Sequence, residues 1–303
     1  MISQNFVTWN LKNGLITLYR NGEEQRLLLK RYDFVFSFLD EMNKVAGEDT
    51  ITMIFRKILE LYGAPQDLQD TPSVENAGRF VDSLVVPIDI ESSSIPDNVA
   101  WDGKTRNLKF FGSSLWRVLP ISFIRNFRKA SYEILTENGT KAIVRDATRT
   151  SGAGMAQQAI QDYQLTKLED LVKVQDEKIY LGTFRHAGWS YSRVFIHENA
   201  NGNHMFLAKI TDSYESSGIT GIRRPICTWL MNYMDGFYNG LINDLSGKFI
   251  ETREVRCKAI GDPYCAFAHK IKDNKKDILD WRELESEWKE LDAIPLSVSP
   301  TIL

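Results

Sequence analysis

Cysteine is scarce in this sequence: three residues in 303, all between positions 227 and 265. An odd, clustered set cannot supply the paired bridges of a small secreted domain, and it predicts a reducing, cytoplasmic setting. Histidine is nearly as rare, and His186, His197, His204 and His269 are scattered without metal-ligand spacing. No stretch approaches the roughly 20 apolar residues that span a bilayer. The opening MISQNFVTWNLKNG carries neither the basic flank nor the apolar run of an export signal. A basic excess is missing as well: 37 Lys and Arg stand against 40 Asp and Glu, for a net charge of −3. The basic runs RNFRK (125–129) and KDNKK (272–276) are short and read as solvated surface. Direct nucleic-acid binding, which needs clustered cations to displace phosphate counterions, is not expected.

Familiar catalytic signatures are also lacking. Walker, GxSxG and HExxH patterns do not occur. TSGAGMAQQ at 150–158 bears glycines, but without G-x-G-x-x-G spacing or a preceding strand it makes a poor phosphate cradle. Hydride chemistry would need a nicotinamide or flavin, and no site for either is readable. The chain reads as a binding protein rather than an enzyme.

What is present is a globular mix, 43% hydrophobic and 25% charged, with material for one large domain or two of ordinary size. Residues 8–30 read as two strands joined at Asn21-Gly22, a strong hairpin dipeptide. Two amphipathic helical patterns follow and stop at Gly47 and Gly63, where a left-handed cap costs glycine little. Residues 64–76 and 91–105, rich in Pro, Ser, Asp and Gln, read as loops. Near 116 the pattern restarts, with an apolar strand end, a helix, a stop at Gly139 and a second helix. Gly139 lies 92 residues after Gly47, which hints at duplication. Residues 162–175 give a linker and short helix, and 178–216 antiparallel strands turning at ANGN. A helix is expected over 225–243 and a hairpin from 248–257 and 264–271.

The fold class expected is α+β, with helices packed on an antiparallel sheet. An N-terminal α+β region (1–115) precedes a second domain (116–272) and a C-terminal amphipathic helix and tail (273–303). In that tail Trp281, Leu284, Trp288 and Leu291 make a heptad-like stripe, suited to packing on its own domain, to a homodimer seam or to a protein partner.

The stretch EVRCKAIGDPYC (254–265) sets two cysteines around a Gly-Asp-Pro turn, with Glu254 three positions before Cys257. A hairpin with two buried thiols fits this spacing, since free cysteine is often a small buried hydrophobe. A metal site fits it too. Structural zinc takes four ligands from Cys, His and carboxylate, and Glu254, Cys257 and Cys265 would be joined by Cys227 from the preceding helix. Residues three apart on a regular strand point to opposite faces, so Glu254 and Cys257 converge only if the strand bulges or ends between them.

With Cys227, the helical Gly236 and Gly240, Glu254-Val-Arg-Cys257, Gly261-Asp262 and Cys265-Ala-Phe267, the stretch from about 116 to 272 resembles the 4-vinyl-reductase domain family. Softer matches are HAGWSYSRV (186–194) and DSYES (212–216). That family groups aromatic-sensing domains of bacterial activators, a bacteriochlorophyll-pathway accessory protein and relatives of vesicle-tethering subunits. The resemblance implies that Cys227, Glu254, Cys257 and Cys265 bind zinc in a structural role, because four protein ligands leave no open position for water. It also implies a hydrophobic or aromatic small molecule held between helices and sheet.

The candidate ligand contacts are Trp189, Tyr191, Phe206, Tyr214, Trp229 and Tyr233, with His186 and Glu215 as polar handles. Taken singly, each ring fits a plain core position better than a ligand contact. The sequence AKITD (208–212) stands where phenol sensors carry an aromatic residue, so a phenol-specific activator is not expected. Two other roles stand beside the sensor: an accessory protein presenting a tetrapyrrole or pigment precursor to an enzyme, and a tethering subunit with a lipid-filled pocket.

Overall fold

The computed structural model describes residues 6–10, 15–20, 22–70, 76, 89–90, 99–102, 107–110, 114–174, 187–190, 192–198, 204–211, 213–277 and 281. The chain divides into two compact units. One comprises 1–147 with 185–190, and the other 148–184 with 191–303.

The first unit is built on β1 (Phe6–Asn10), β2 (Leu15–Arg20) and β3 (Glu23–Arg31), followed by α1 (Tyr32–Ala46), α2 (Glu48–Leu61) and α3 (Gln66–Asp70). Strands β4 (Asp89–Ile90), β5 (Val99–Asp102), β6 (Asn107–Phe110) and β7 (Ser114–Pro120) complete a seven-stranded sheet of order β4-β1-β2-β3-β7-β6-β5. All its pairings are antiparallel except β1 with β4. The expected hairpin forms, with Arg20 opposite Glu23 and Gly22 at φ 85°. Alternation buries Ile16 and Leu18 on β2, whereas β3 buries Leu27, Leu28 and Leu29 in succession. On α2 the buried residues are Ile51, Ile54, Phe55, Ile58 and Leu59, the spacing of one helix face. Gly47 and Gly63 both take positive φ at helix ends, as expected. The stretch 91–105, read as a loop, instead contributes the strand β5.

Helix α4 (Ile121–Asp162) is interrupted at Thr136 (φ 67°, ψ 164°), three residues before the stop expected at Gly139. The reason is local. The Thr136 hydroxyl accepts the Gly139 N–H (3.4 Å), as an N-cap does, so the second segment starts at threonine and glycine lies inside it.

The second unit continues with α5 (Leu168–Val174), β8 (Ser192–Glu198), β9 (His204–Ile210), α6 (Thr228–Ser246), β10 (Phe249–Arg256) and β11 (Cys265–Lys272). Its antiparallel sheet has the order β10-β11-β9-β8. One face meets α6: Phe206 on β9 stacks on Tyr238 at 5.5 Å, and Asp235 accepts the Thr252 N–H of β10 (3.2 Å). The other face carries an apolar cluster of Phe195, Met205, Leu207, Tyr264, Ala266 and Ala268, with Trp281 packed against it.

The rest of α4 lies along α6 through glycine. A Cβ on Gly236 would sit 2.0 Å from the Arg149 carbonyl oxygen, and one on Gly152 would sit 2.1 Å from that of Tyr233. Of the TSGAGMAQQ glycines, Gly152 therefore serves a close helix crossing, while Gly154 faces open space. Arg149 closes it with an ion pair to Asp235 (2.7 Å).

Among the described residues no helix is long and apolar enough to cross a membrane. Of the expected C-terminal helix and tail, residues 273–277 form a bend and turn rather than a helix, and beyond them only Trp281 is among the described residues. Its indole N–H donates to Glu251 (3.1 Å) beneath the Arg253 guanidinium.

Candidate metal centre

Four side chains from three elements meet at one end of the second sheet. Cys227 immediately precedes α6, Glu254 is on β10, Cys257 follows β10 and Cys265 opens β11. One ligand atom from each lies within 4.8 Å of the others. All three thiols are buried and free, and Cys227 Sγ stands 3.6 Å from Cys265 Sγ.

The convergence of Glu254 and Cys257 has the cause the sequence required. The β10–β11 register shifts between Glu254 and Arg256, and β10 ends one residue before Cys257. The Gly-Asp turn then returns the chain. Gly261 adopts φ 111°, closed to other residues without strain, and the Asp262 carboxylate accepts the Cys257 N–H (2.7 Å).

Burial and mutual hydrogen bonding shift the members of the cluster in opposite directions. Burial, with Cys257 alongside, pushes the Glu254 carboxyl up to about 10. Hydrogen bonding with Cys257 and Cys265 and burial raise the Cys227 thiol well above its usual value. Cys265 moves the other way, to about 4, because Cys227 and Cys257 donate to it, aided by Ser216 and the Lys258 N–H. A buried anion at Cys265 thus disfavours a second one at Glu254 or Cys227.

A divalent ion fits this donor set. Glu254 Oε2 accepts the Cys227 N–H (3.2 Å), while Oε1 is buried without a hydrogen-bond partner. A buried oxygen left unmatched costs about 1–3 kcal/mol, and a cation among the thiolates would satisfy it. Three sulfurs and one carboxylate are the ligand types of a closed tetrahedral site.

The segment Ser213–Ser216, between β9 and α6, surrounds the cluster. Glu215, read as a polar handle for a ligand, is 3% exposed, and its carboxylate accepts the N–H groups of Trp229 (3.1 Å) and Leu230 (2.6 Å). It caps the first turn of α6, where Cys227 makes no side-chain cap of its own. Ser213 Oγ lies 3.4 Å from Cys227 Sγ, and Ser216 Oγ 3.2 Å from Cys265 Sγ. Ser213 and Ser216 bracket Glu215 in DSYES, a stretch matched to the family motif with no role at the sulfurs assigned to either serine. Paired hydroxyls just ahead of a cysteine helix were the available signal.

The aromatic candidates divide between the units. Trp189 belongs to the first, where its indole N–H donates to the Leu29 carbonyl and Leu29 donates to that of Ala187 (2.8 Å). Phe206, Tyr214, Trp229 and Tyr233 lie in the second, each at most 4% exposed. Tyr233 stacks on Phe237 at 6.4 Å, and Phe237 meets Tyr238 edge-on at 5.6 Å. His186 and Tyr191 lie outside the described residues. Buried His269 bonds Thr252 Oγ1 (2.9 Å) and touches the Tyr238 ring, apart from the cysteine cluster.

No family model matches the chain, and no curated protein matches it either. Among solved structures, the chain is similar to the phenol-responsive sensory domain of the transcription activator PoxR with phenol. The identity is 18%, the TM-score 0.46, and the match covers 65% of this chain and 93% of that one. It is also similar to a trafficking protein particle complex subunit 3 from Naegleria fowleri covalently bound to palmitic acid (9% identity, TM-score 0.34, 46% of this chain and 83% of that one). A third likeness is to an H-NOX protein from S. oneidensis in the Fe(II)NO ligation state (12% identity, TM-score 0.40, 79% and 98%). All three TM-scores lie below 0.5, and no site residue is transferred from them.

Proposed function

We propose that this chain is a non-enzymatic receptor for a hydrophobic or aromatic small molecule, with a structural zinc ion fastening its second unit. The observation that carries this reading is the meeting of Cys227, Glu254, Cys257 and Cys265 within 4.8 Å, beside a buried carboxylate oxygen that lacks a partner. Four protein donors complete a tetrahedral zinc shell, so the ion would hold α6 to the β10–β11 hairpin and leave no position for an activated water.

Helix α6 carries Trp229, Tyr233, Phe237 and Tyr238 toward buried positions, and its first turn is fixed by Cys227 and Glu215. An apolar ligand entering the layer between α6 and the sheet would shift the body of the helix about that fixed end. The shift would pass to a partner through the Trp281 stripe, which also offers a homodimer seam.

Mass spectrometry of gently purified protein, with metal analysis on the same sample, tests the reading. One zinc per chain and an apolar molecule released on denaturation are expected. A visible pigment would instead favour the tetrapyrrole accessory role, and an irreplaceable acyl chain the tethering role. Metal-free protein with three reduced thiols would refute the zinc centre.

A further inference from the structure

Four polar contacts made from within the tetrapeptide Ser213–Ser216 have no role in a bare four-ligand site. Ser213 Oγ is 3.4 Å from Cys227 Sγ, Glu215 holds the first turn of α6, and Ser216 Oγ is 3.2 Å from Cys265 Sγ. The tetrapeptide therefore touches both a helix-borne and a hairpin-borne sulfur. Both serines are almost wholly buried, at 0% and 3% exposure, so neither hydroxyl faces bulk solvent.

The direction of each bond follows from the other partners. The Glu215 N–H donates to Ser213 Oγ (3.3 Å), which occupies the hydroxyl as an acceptor and leaves its proton for sulfur. The other contact of Ser216 Oγ is a longer approach to the Ser213 carbonyl (3.5 Å), itself already bonded by the Ser217 N–H (3.1 Å). The 3.2 Å sulfur is then the better acceptor for the Ser216 proton, most of all as a thiolate. Cys265 also receives the Lys258 N–H (3.3 Å), so donors approach it from both sides of the turn.

We propose that Ser213 and Ser216 are positioning residues that donate to the Cys227 and Cys265 thiolates and set how tightly the centre holds its ion. The inference rests on the zinc reading above and adds a tuning element that the four ligands do not contain. Outer-shell hydrogen bonds fix ligand orientation and offset thiolate charge, and their loss typically weakens metal binding about 10–100-fold.

The test uses the reduced full-length chain titrated with Co2+ and Zn2+ against a competing chelator. In wild type a sulfur-to-cobalt charge-transfer band shows that thiolates bind the metal. Ser213→Ala and Ser216→Ala each remove one oxygen and add no bulk, so the fold is kept. Each is expected to weaken binding by about 10-fold and the pair by about 100-fold. The charge-transfer band should move to longer wavelength as the sulfurs lose their donors, and the loaded protein should react faster with iodoacetamide.

Ser216→Thr, which keeps the hydroxyl, restores affinity and band position. A role in packing alone would move stability without moving the band. Alanine variants that bind within threefold of wild type with an unshifted band overturn the proposal. Absence of any charge-transfer band in wild type overturns the zinc reading, and this inference with it.

Discussion

Gly236→Ala tests the close crossing that carries the cysteine helix. The new Cβ would stand 2.0 Å from the Arg149 carbonyl oxygen and 2.7 Å from its carbonyl carbon, both backbone atoms that no rotamer change can move aside. An ordinary contact at about 3.4 Å requires the helices to part by about 1.4 Å, the difference between the two separations. Overpacking of this kind costs about 1–3 kcal/mol and occasionally more. Here the parting also strains the Arg149–Asp235 ion pair and the Gly152 contact on Tyr233. Alanine's better helix propensity returns only about 0.5–1 kcal/mol. The net expectation is a loss of about 2 kcal/mol.

Gly154→Ala is the control. It makes the same chemical change in α4 at an exposed position with nothing within 4 Å of the added carbon, and should gain about 0.5–1 kcal/mol. Urea unfolding of metal-loaded protein, comparing midpoints at equal m-values, reads both. Equal signs for the two variants, or a Gly236→Ala midpoint matching wild type, would refute the reasoning.

Three other outcomes follow from the same structure. Stripping the ion with a chelator should lower the melting temperature of wild type sharply, since structural zinc supplies folding free energy directly. Cys257→Ala should melt alike with and without chelator. Because the Glu254 and Cys227 values are raised, both groups are protonated at pH 7 without metal. Loading should then release at least two protons per ion and weaken as pH falls, measurable by calorimetry in buffers of different ionisation enthalpy. Burial lowers the His269 value to about 3, against about 6.5 in an unfolded chain. Its contribution is complete above pH 6.5 and is lost as pH drops toward 3, about 1.4 kcal/mol per unit, or about 2 kcal/mol by pH 5. His269→Gln should flatten the stability profile over that window, and an unchanged slope would sink the argument.

Local signals were legible wherever the deciding physics is local. Asn21-Gly22 marked a hairpin because a two-residue turn needs positive φ, and Gly47 and Gly63 marked helix ends for the same reason. Thr136 shows where such reading slips. Glycine was the stronger stop signal at 139, yet the threonine hydroxyl three residues earlier caps the new segment and sets the break.

By itself the sequence determined the two-class α+β make-up, the helix and hairpin that carry the cysteines, and the donor types available for an ion. Side-chain period and turn chemistry act over a few residues and survive without context. Tertiary structure alone decided what meets across long separations. Trp189 pairs with Leu29, Gly236 lies against Arg149, and Ser213 and Ser216 reach two different sulfurs. The same holds for the aromatic rings, since hydrophobic period marks a buried face but not the surface it is buried against. Close packing settles that choice globally: α4 and α6 approach closely because Gly152 and Gly236 let each backbone reach the other.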